Sequence, residues 1–297
     1  PWYIRNRVVS KGQSQVVGAF VLKNPYSPEE GKIGPSGLVE RIGRNVVIYG
    51  TAESARVVLG SESPWLVHPA SRVLAVAVSL LVVAGLIGRI VTNGPGVLET
   101  YFGFFLGIVL VWPDAWSDVR FIMPLIPLML FYMAEAAALT ARFASSLRKH
   151  GHVVAAVVLL IVAALSLSSQ FTRVPSNLRM LSAWAGGDRY AGYPVNWRRF
   201  FEAADWVRQN TPENAVITVR KPSLGYLWAG RRVDGYPFTT DTDSVLAQIL
   251  RTDYVIVDQI SGTTARYLVP AIQKRNERFK VVHRTADPAT WVLEVLK

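Results

Sequence analysis

Four apolar segments crowded into the middle of the chain limit what it can fold into more than any other feature. From Val73 to Val91 the only charged residue is Arg89; from Val97 to Trp112, Glu99; from Phe121 to Ala141, Glu135; and Val153 to Leu167 has none. A bilayer core of about 30 Å is crossed by a helix of about 20 apolar residues. The first and third segments meet that length, and flanking residues extend the second and fourth. Buried helices of a soluble core would show more of a polar face. The expected architecture is a multi-pass α-helical membrane module with four spans, at about 72–92, 96–113, 119–141 and 152–169, followed by a C-terminal soluble α/β domain.

Composition agrees with this. Residues are 51% hydrophobic and 18% charged, against about 25% charged in soluble domains, which argues against an ordinary soluble enzyme and against a disordered chain. Cysteine is absent, which excludes disulfide scaffolds, thiolate zinc sites and cysteine nucleophiles. His68, His150, His152 and His283 form no ligand cluster, so no metal residues are assigned; no cofactor is evident, and a divalent metal is left open. The sequence opens on Pro1 and reads from there as the interior of something longer, so the chain is expected to be a C-terminal portion.

Basic residues in short loops mark the cytoplasmic side. Arg142, Arg148 and Lys149 fall between the third and fourth segments, and Arg89 precedes the Asn93-Gly94-Pro95-Gly96 turn on that same side. The Pro113–Val119 loop, with Asp114 and Asp118, then faces outward. Four crossings place both polar ends outside the cytoplasm, in an inner (cell) membrane protein.

Residues 1–71 carry eight Lys/Arg and five Asp/Glu and are expected to form an extracytoplasmic loop. Within it, Leu38, Ile42, Val46, Tyr49 and Val57 recur near helical spacing over Gly37–Leu59, with Arg41, Arg44 and Arg56 largely elsewhere on the wheel. Such a helix can lie in the headgroup plane or pack as an ordinary surface helix on the C-terminal domain. Residues 170–195, rich in Gly, Pro and Ser, are expected to be a linker. Residues 196–297 are expected to be an extracytoplasmic α/β domain with a largely parallel sheet. Its elements are helices at Trp197–Gln209, Pro222–Ala229, Asp243–Leu250 and Thr264–Arg275, and strands at Ala215–Val219, Tyr254–Val257, Phe279–His283 and Thr290–Val295. Asp258 ends one strand, either as a ligand group or, as favoured here, as a loop Asp capping the next helix. No glycine-rich phosphate loop is present.

Three features together resemble the GT-C-fold membrane glycosyltransferases, the polyprenyl-phosphate-sugar-dependent mannosyl-, arabinosyl- and aminoarabinose transferases. Pro1-Trp2-Tyr3-Ile4-Arg5-Asn6 resembles their PW-x-x-RN signature at the outer end of a membrane helix. Arg120-Phe121-Ile122-Met123-Pro124-Leu125-Ile126-Pro127 resembles the R-[FY]-x-x-P-x-x-P opening of a late helix. Trp197–Leu296 resembles the soluble domain that follows the last helix in many bacterial members. The resemblance implies transfer of a sugar from a polyprenyl-phosphate donor to an extracytoplasmic glycan, lipid or protein. It also implies a catalytic carboxylate in a first outer loop upstream of Pro1, so no catalytic residue is assigned in this chain, and Asp114 and Asp118 are not put in that role.

Physical chemistry singles out Arg120 independently. A guanidinium at the outer end of a membrane helix can grip a lipid phosphate bidentately and offset charge on the leaving group; otherwise it reaches to headgroups or pairs with Asp118. Pro124 and Pro127 would open the turn beside it. Arg5 is a weaker second candidate. Trp112 and Trp116 bracket the outer loop as belt residues able to stack on a sugar or acceptor. Glu99 and Glu135 are expected to pair between helices near the inner face. Arg220, Lys221, Arg231 and Arg232, close in sequence to Tyr226, Trp228, Tyr236 and Phe238, suggest a basic-aromatic patch that meets anionic lipid; no nucleic-acid partner is expected. Two other readings stay open: a transporter or channel subunit, and a membrane anchor presenting the α/β domain as a binding module.

Overall fold

The computed structural model describes residues 18, 20–60, 63–143 and 151–297. They divide into two compact units: residues up to Pro25 with Lys32–Asn177, and Tyr26–Gly31 with Leu178–Lys297.

The first unit is helical. Gly34 and Pro35 open α1 (Pro35–Ile48), with proline where its missing N–H costs nothing. A π-helical turn, Tyr49–Glu53, carries the chain into α2 (Ser54–Leu59). Then come α3 (Ala70–Asn93), α4 (Val97–Val111), α5 (Ile126–Phe143) and α6 (Gly151–Phe171). Two helices are long and apolar enough to cross a membrane, Ala70–Asn93 and Met123–Thr140; Val97–Val111 and Leu159–Ser168 are shorter apolar stretches. The expected second span is therefore short. Glycines at 94 and 96 start it late, and the Trp112–Pro113 step ends it, because the residue before proline is pushed to extended backbone. The expected third span also starts late. Residues 119–125 make two 3₁₀ turns, and the α-helix begins only at Ile126. Pro124 and Pro127 thus sit in or just after those turns, where a missing N–H is harmless, and kink no helix interior. Val78, Val82, Phe102, Leu125, Met129, Tyr132 and Met133 form the core between α3, α4 and α5.

Glu99 and Glu135 do pair. Arg89 Nε donates to Glu99 at 2.8 Å, and its Nη1 lies 3.6 Å from Glu135. Tyr132 adds its hydroxyl to Glu99 at 3.4 Å. One guanidinium on α3 thereby ties α4 and α5 together.

The second unit includes α7 (Val174–Ala185), most of which lies in it, where a linker was expected. The glycines that suggested a linker, Gly186 and Gly187, follow this helix and end it. The α/β domain then runs α8 (Val195–Asn210), β1 (Val216–Thr218), α9 (Pro222–Ala229), β2 (Arg232–Asp234), α10 (Thr242–Ile249), β3 (Tyr254–Val257), a π-helical turn (Thr264–Leu268) with α11 (Val269–Lys274), β4 (Phe279–Arg284) and β5 (Trp291–Val295). Gly230 ends α9 in the left-handed conformation at φ 59°, a glycine's natural place. The sheet order is β2-β1-β3-β5-β4. β1 is parallel to β2 and β3, but β5 is antiparallel to β3 and β4. The expected largely parallel sheet is therefore mixed, because the short 285–290 connection leaves no room for a helical crossover.

Each face of the sheet is covered. Phe200, Phe201, Ala204 and Val207 of α8 pack on Ile217, Ile256 and Val292. Val245 and Ile249 of α10 and Ala271 of α11 pack on Val255, Leu293 and Val295. Neighbouring β3 residues point into opposite cores, as the pleat demands.

Candidate functional site

The Arg120 region is built by α1 docking onto the loop after α4. Asn45 does the docking. Its side-chain amide donates to the Leu110 and Trp112 carbonyls, both at 2.8 Å, and its own oxygen accepts from Ser117 Oγ at 2.8 Å. These bonds satisfy carbonyls that the end of α4 leaves open. From the adjacent position, Arg44 Nε reaches Asp114 at 2.6 Å, and the bond to Asp114 raises the Arg44 pKa above its ordinary value. Arg41 is fully buried and donates to the carbonyls of Phe20 at 3.0 Å, Lys23 at 3.2 Å and Leu22. Burial lowers its pKa.

The helix thus turns two of its polar residues inward, while Glu40 and Arg44 stay exposed. Val39, Val46 and Val47 are 70%, 52% and 60% exposed, and Arg41 and Asn45 are buried. Arg41, which the helical wheel sets apart from the apolar residues, is nevertheless buried. Backbone carbonyls of the N-terminal stretch and of the post-α4 loop needed donors, and an arginine fork and an amide supply them.

On this platform sit Trp112, Trp116 and Arg120. Trp112 lies 4.5 Å from Phe20, 5.1 Å from Phe121 and 6.2 Å from Trp116 between ring centroids. Its indole nitrogen is buried with no hydrogen-bond partner. Arg120 stands above, its side chain 66% exposed, with its guanidinium 5.2 Å over the Phe121 ring. Its one carboxylate neighbour among the described residues, Asp118, is 3.9 Å from Nε, and Asp118 spends its nearer bond, 2.9 Å, on the Arg120 backbone N–H. Beneath them Glu53 is buried and pairs with Arg56 at 3.2 Å. Burial pushes the Glu53 carboxyl up, and the Asp118 charge adds to that. Arg120 is thus left with donors to spare, next to the Phe121 ring, on a segment beside the buried Glu53. Arg5 lies outside the described residues.

The second cluster lies where the parallel strands β1, β2 and β3 end. Asp258, 2% exposed, accepts from the Ile260 N–H at 2.9 Å and from Thr264 Oγ1 at 3.3 Å, turning the chain toward α11. Burial raises its carboxyl, and its other oxygen has no partner. Arg220 Nε donates to Thr263 Oγ1 at 2.7 Å, and the Tyr236 hydroxyl is hydrogen-bonded to Thr264 Oγ1 at 3.2 Å. Burial lifts the Tyr236 hydroxyl to about 12.

Five residues of the expected basic-aromatic patch are drawn elsewhere, while Arg232 and Tyr226 stay exposed. Arg231 is buried and donates to the carbonyls of Arg208 at 2.7 Å and Thr211 at 2.8 Å, capping α8. Arg220 turns to Thr263, Tyr236 and Phe238 belong to the core, and Trp228 stacks on Phe201 at 4.4 Å. A cation near a helix C-terminus gains more from open carbonyls than from solvent.

Among the described residues no three His, Cys, Asp or Glu side chains converge as metal ligands. The chain matches no known protein-family model, no curated protein and no solved structure.

Proposed function

We propose that this chain is the C-terminal portion of an integral membrane glycosyltransferase that moves a sugar from a polyprenyl-phosphate donor to an extracytoplasmic acceptor. The apolar helices α3 to α6 are its membrane spans, and the α/β domain is extracytoplasmic. Arg120 binds the donor phosphate, Arg5 assists, and Trp112 and Trp116 contact the sugar or acceptor. No residue of this chain takes the general-base role. The α/β domain guides the acceptor.

One observation carries the reading. Arg120 is exposed in the 3₁₀ turn that leads into an apolar helix, is bound only loosely by Asp118, and lies over the Phe121 ring, itself packed on Trp112. A guanidinium with open donors at that depth suits a phosphate oxygen that gains charge as the glycosidic bond breaks.

The test is Arg120→Ala and Arg120→Lys in the full-length protein, with insertion checked by membrane fractionation. Arg120→Ala should lower transfer by about a hundredfold or more, as loss of one preorganised charge donor does. Arg120→Lys should recover part of it, since lysine keeps the charge and loses the fork. Normal transfer by a normally inserted Arg120→Ala protein would refute the assignment.

A further inference from the structure

The first unit carries an open groove of about 830 Å³ between the C-terminal half of α1 with its π turn and the first half of α3. Val47, Ile48, Val73, Val76, Ala77 and Leu80 form its walls. Val47, Val73 and Leu80 are 60%, 72% and 65% exposed. The one hydroxyl in the walls, Thr51, is turned onto the Val47 carbonyl at 2.6 Å. At one end stands Arg72, exposed, its side chain without an ion pair or hydrogen bond among the described residues. Other arginines of this unit are engaged: Arg44 with Asp114, Arg56 with Glu53 and Arg89 with Glu99.

Length adds a second constraint. From Arg72 to Leu80 the helix rises about 12 Å. One leaflet of hydrocarbon is about 15 Å deep, half of a core of about 30 Å. The groove is therefore one leaflet long, greasy throughout, and ends in an unpaired cation. A peptide laid in it would bury amides with nothing to bond them. An amphiphile with an anionic head and one flexible tail meets every feature.

We infer that the groove binds an anionic glycerophospholipid of the bilayer, its phosphate on the Arg72 guanidinium and one acyl chain along Val73–Leu80. The inference rests on the reading of α3 as a membrane span. The phosphate takes a charge-assisted, bidentate pair, and the chain covers apolar surface that is otherwise left open.

The full chain, delipidated in detergent, is examined by native mass spectrometry with phosphatidylglycerol or phosphatidylcholine of matched acyl chains. The wild type should retain one phosphatidylglycerol about tenfold more tightly than phosphatidylcholine, whose phosphate is already neutralised by its own choline cation and so is the weaker partner for Arg72. Arg72→Gln should abolish that preference with the fold intact by circular dichroism. Ala77→Phe, which fills the groove from an exposed position, should weaken retention of both lipids. Equal retention by the wild type, or a preference that survives Arg72→Gln, overturns the inference. So does displacement of phosphatidylglycerol by an equal concentration of polyprenyl phosphate, which would make the groove a donor site. Flotation of the chain with liposomes separates the two failures. A chain that floats and shows no preference refutes only the lipid site, and one that does not float refutes the membrane reading as well.

Discussion

At the scale of single residues, the polar groups that shape this chain are the buried ones. Arg41, Asn45 and Arg231 each close a set of backbone carbonyls that helix ends and loops leave open. Asp258 is different. Burial raises its pKa from the ordinary 3.8, so the folded state holds a proton there that the unfolded chain has released. Stability therefore falls as pH rises from about 3.8 through the raised value, and above it the cost is constant. Asp258→Asn keeps an oxygen acceptor for Ile260 and Thr264 and carries no charge. Melting curves of wild type and Asp258→Asn, compared from about pH 4 to about pH 7, should diverge, with the wild type losing ground as pH rises. Parallel curves would mean that Asp258 is not held protonated. Neither the burial of Asp258 nor the inward turn of Arg41 is legible in the sequence. A charged residue at a strand end or on a helix wheel reads as solvated, and its partners lie at distant positions such as Phe20 and Leu22.

At the scale of elements, helix-helix approach decides α3. A Cβ on Gly85 would fall 1.8 Å from the Tyr132 carbonyl oxygen of α5, whereas one on Gly88 would fall 2.2 Å from the Leu139 Cδ1 atom. The first obstacle is backbone and cannot yield; the second is a side-chain tip that can rotate. Gly85→Ala should therefore cost about 2 kcal/mol or more and Gly88→Ala well under half of that. Melts in detergent measure the difference, and equal losses would mean that α3 and α5 do not meet this closely.

The elements also show what periodicity can and cannot tell. Helices α3, α4, α5 and α6 were legible because unbroken apolar runs admit little else, and α9 because Pro222 and Gly230 punctuate it. Strand β2 was not, since Arg232-Val233-Asp234 is too short and too polar to alternate. Helix α7 was hidden by glycines that stop it from outside. The antiparallel placement of β5 was hidden because a strand's pattern carries its faces and not its direction. At the candidate site, Arg120, Trp112 and Trp116 were singled out one by one in the sequence, and the structure links them through Phe121 and the Trp112–Trp116 pair. The α1 residues beneath them were not, because a contact between Asn45 and Trp112 leaves no local signal.

At the scale of the whole molecule, one set of contacts bears on topology. The short segment Tyr26–Gly31 belongs to the same compact unit as the α/β domain. The Tyr267 hydroxyl donates to the Tyr26 carbonyl at 2.8 Å, and Arg266 donates to Ser27 Oγ at 2.8 Å and pairs with Glu29. Residues that share hydrogen bonds share a compartment. Under the proposed membrane reading, the chain between Gly31 and Leu178 must then cross the bilayer an even number of times. Four crossings, by α3, α4, α5 and α6, satisfy this and also put Arg120 on the side of the α/β domain; two crossings by the longer helices alone satisfy the parity and leave α4 and α6 unexplained as apolar helices. Because the chain has no cysteine, single substitutions report cleanly. Ser36→Cys, Thr240→Cys and Asn93→Cys all place the thiol at exposed positions. In intact cells stripped of any outer barrier, a membrane-impermeant maleimide should label the first two at once and Asn93→Cys only after permeabilisation. Labelling of Ser36→Cys and Thr240→Cys from opposite sides would break the parity, and with it the four-span topology. Immediate labelling of Asn93→Cys would leave the parity intact and remove the crossing assigned to α3.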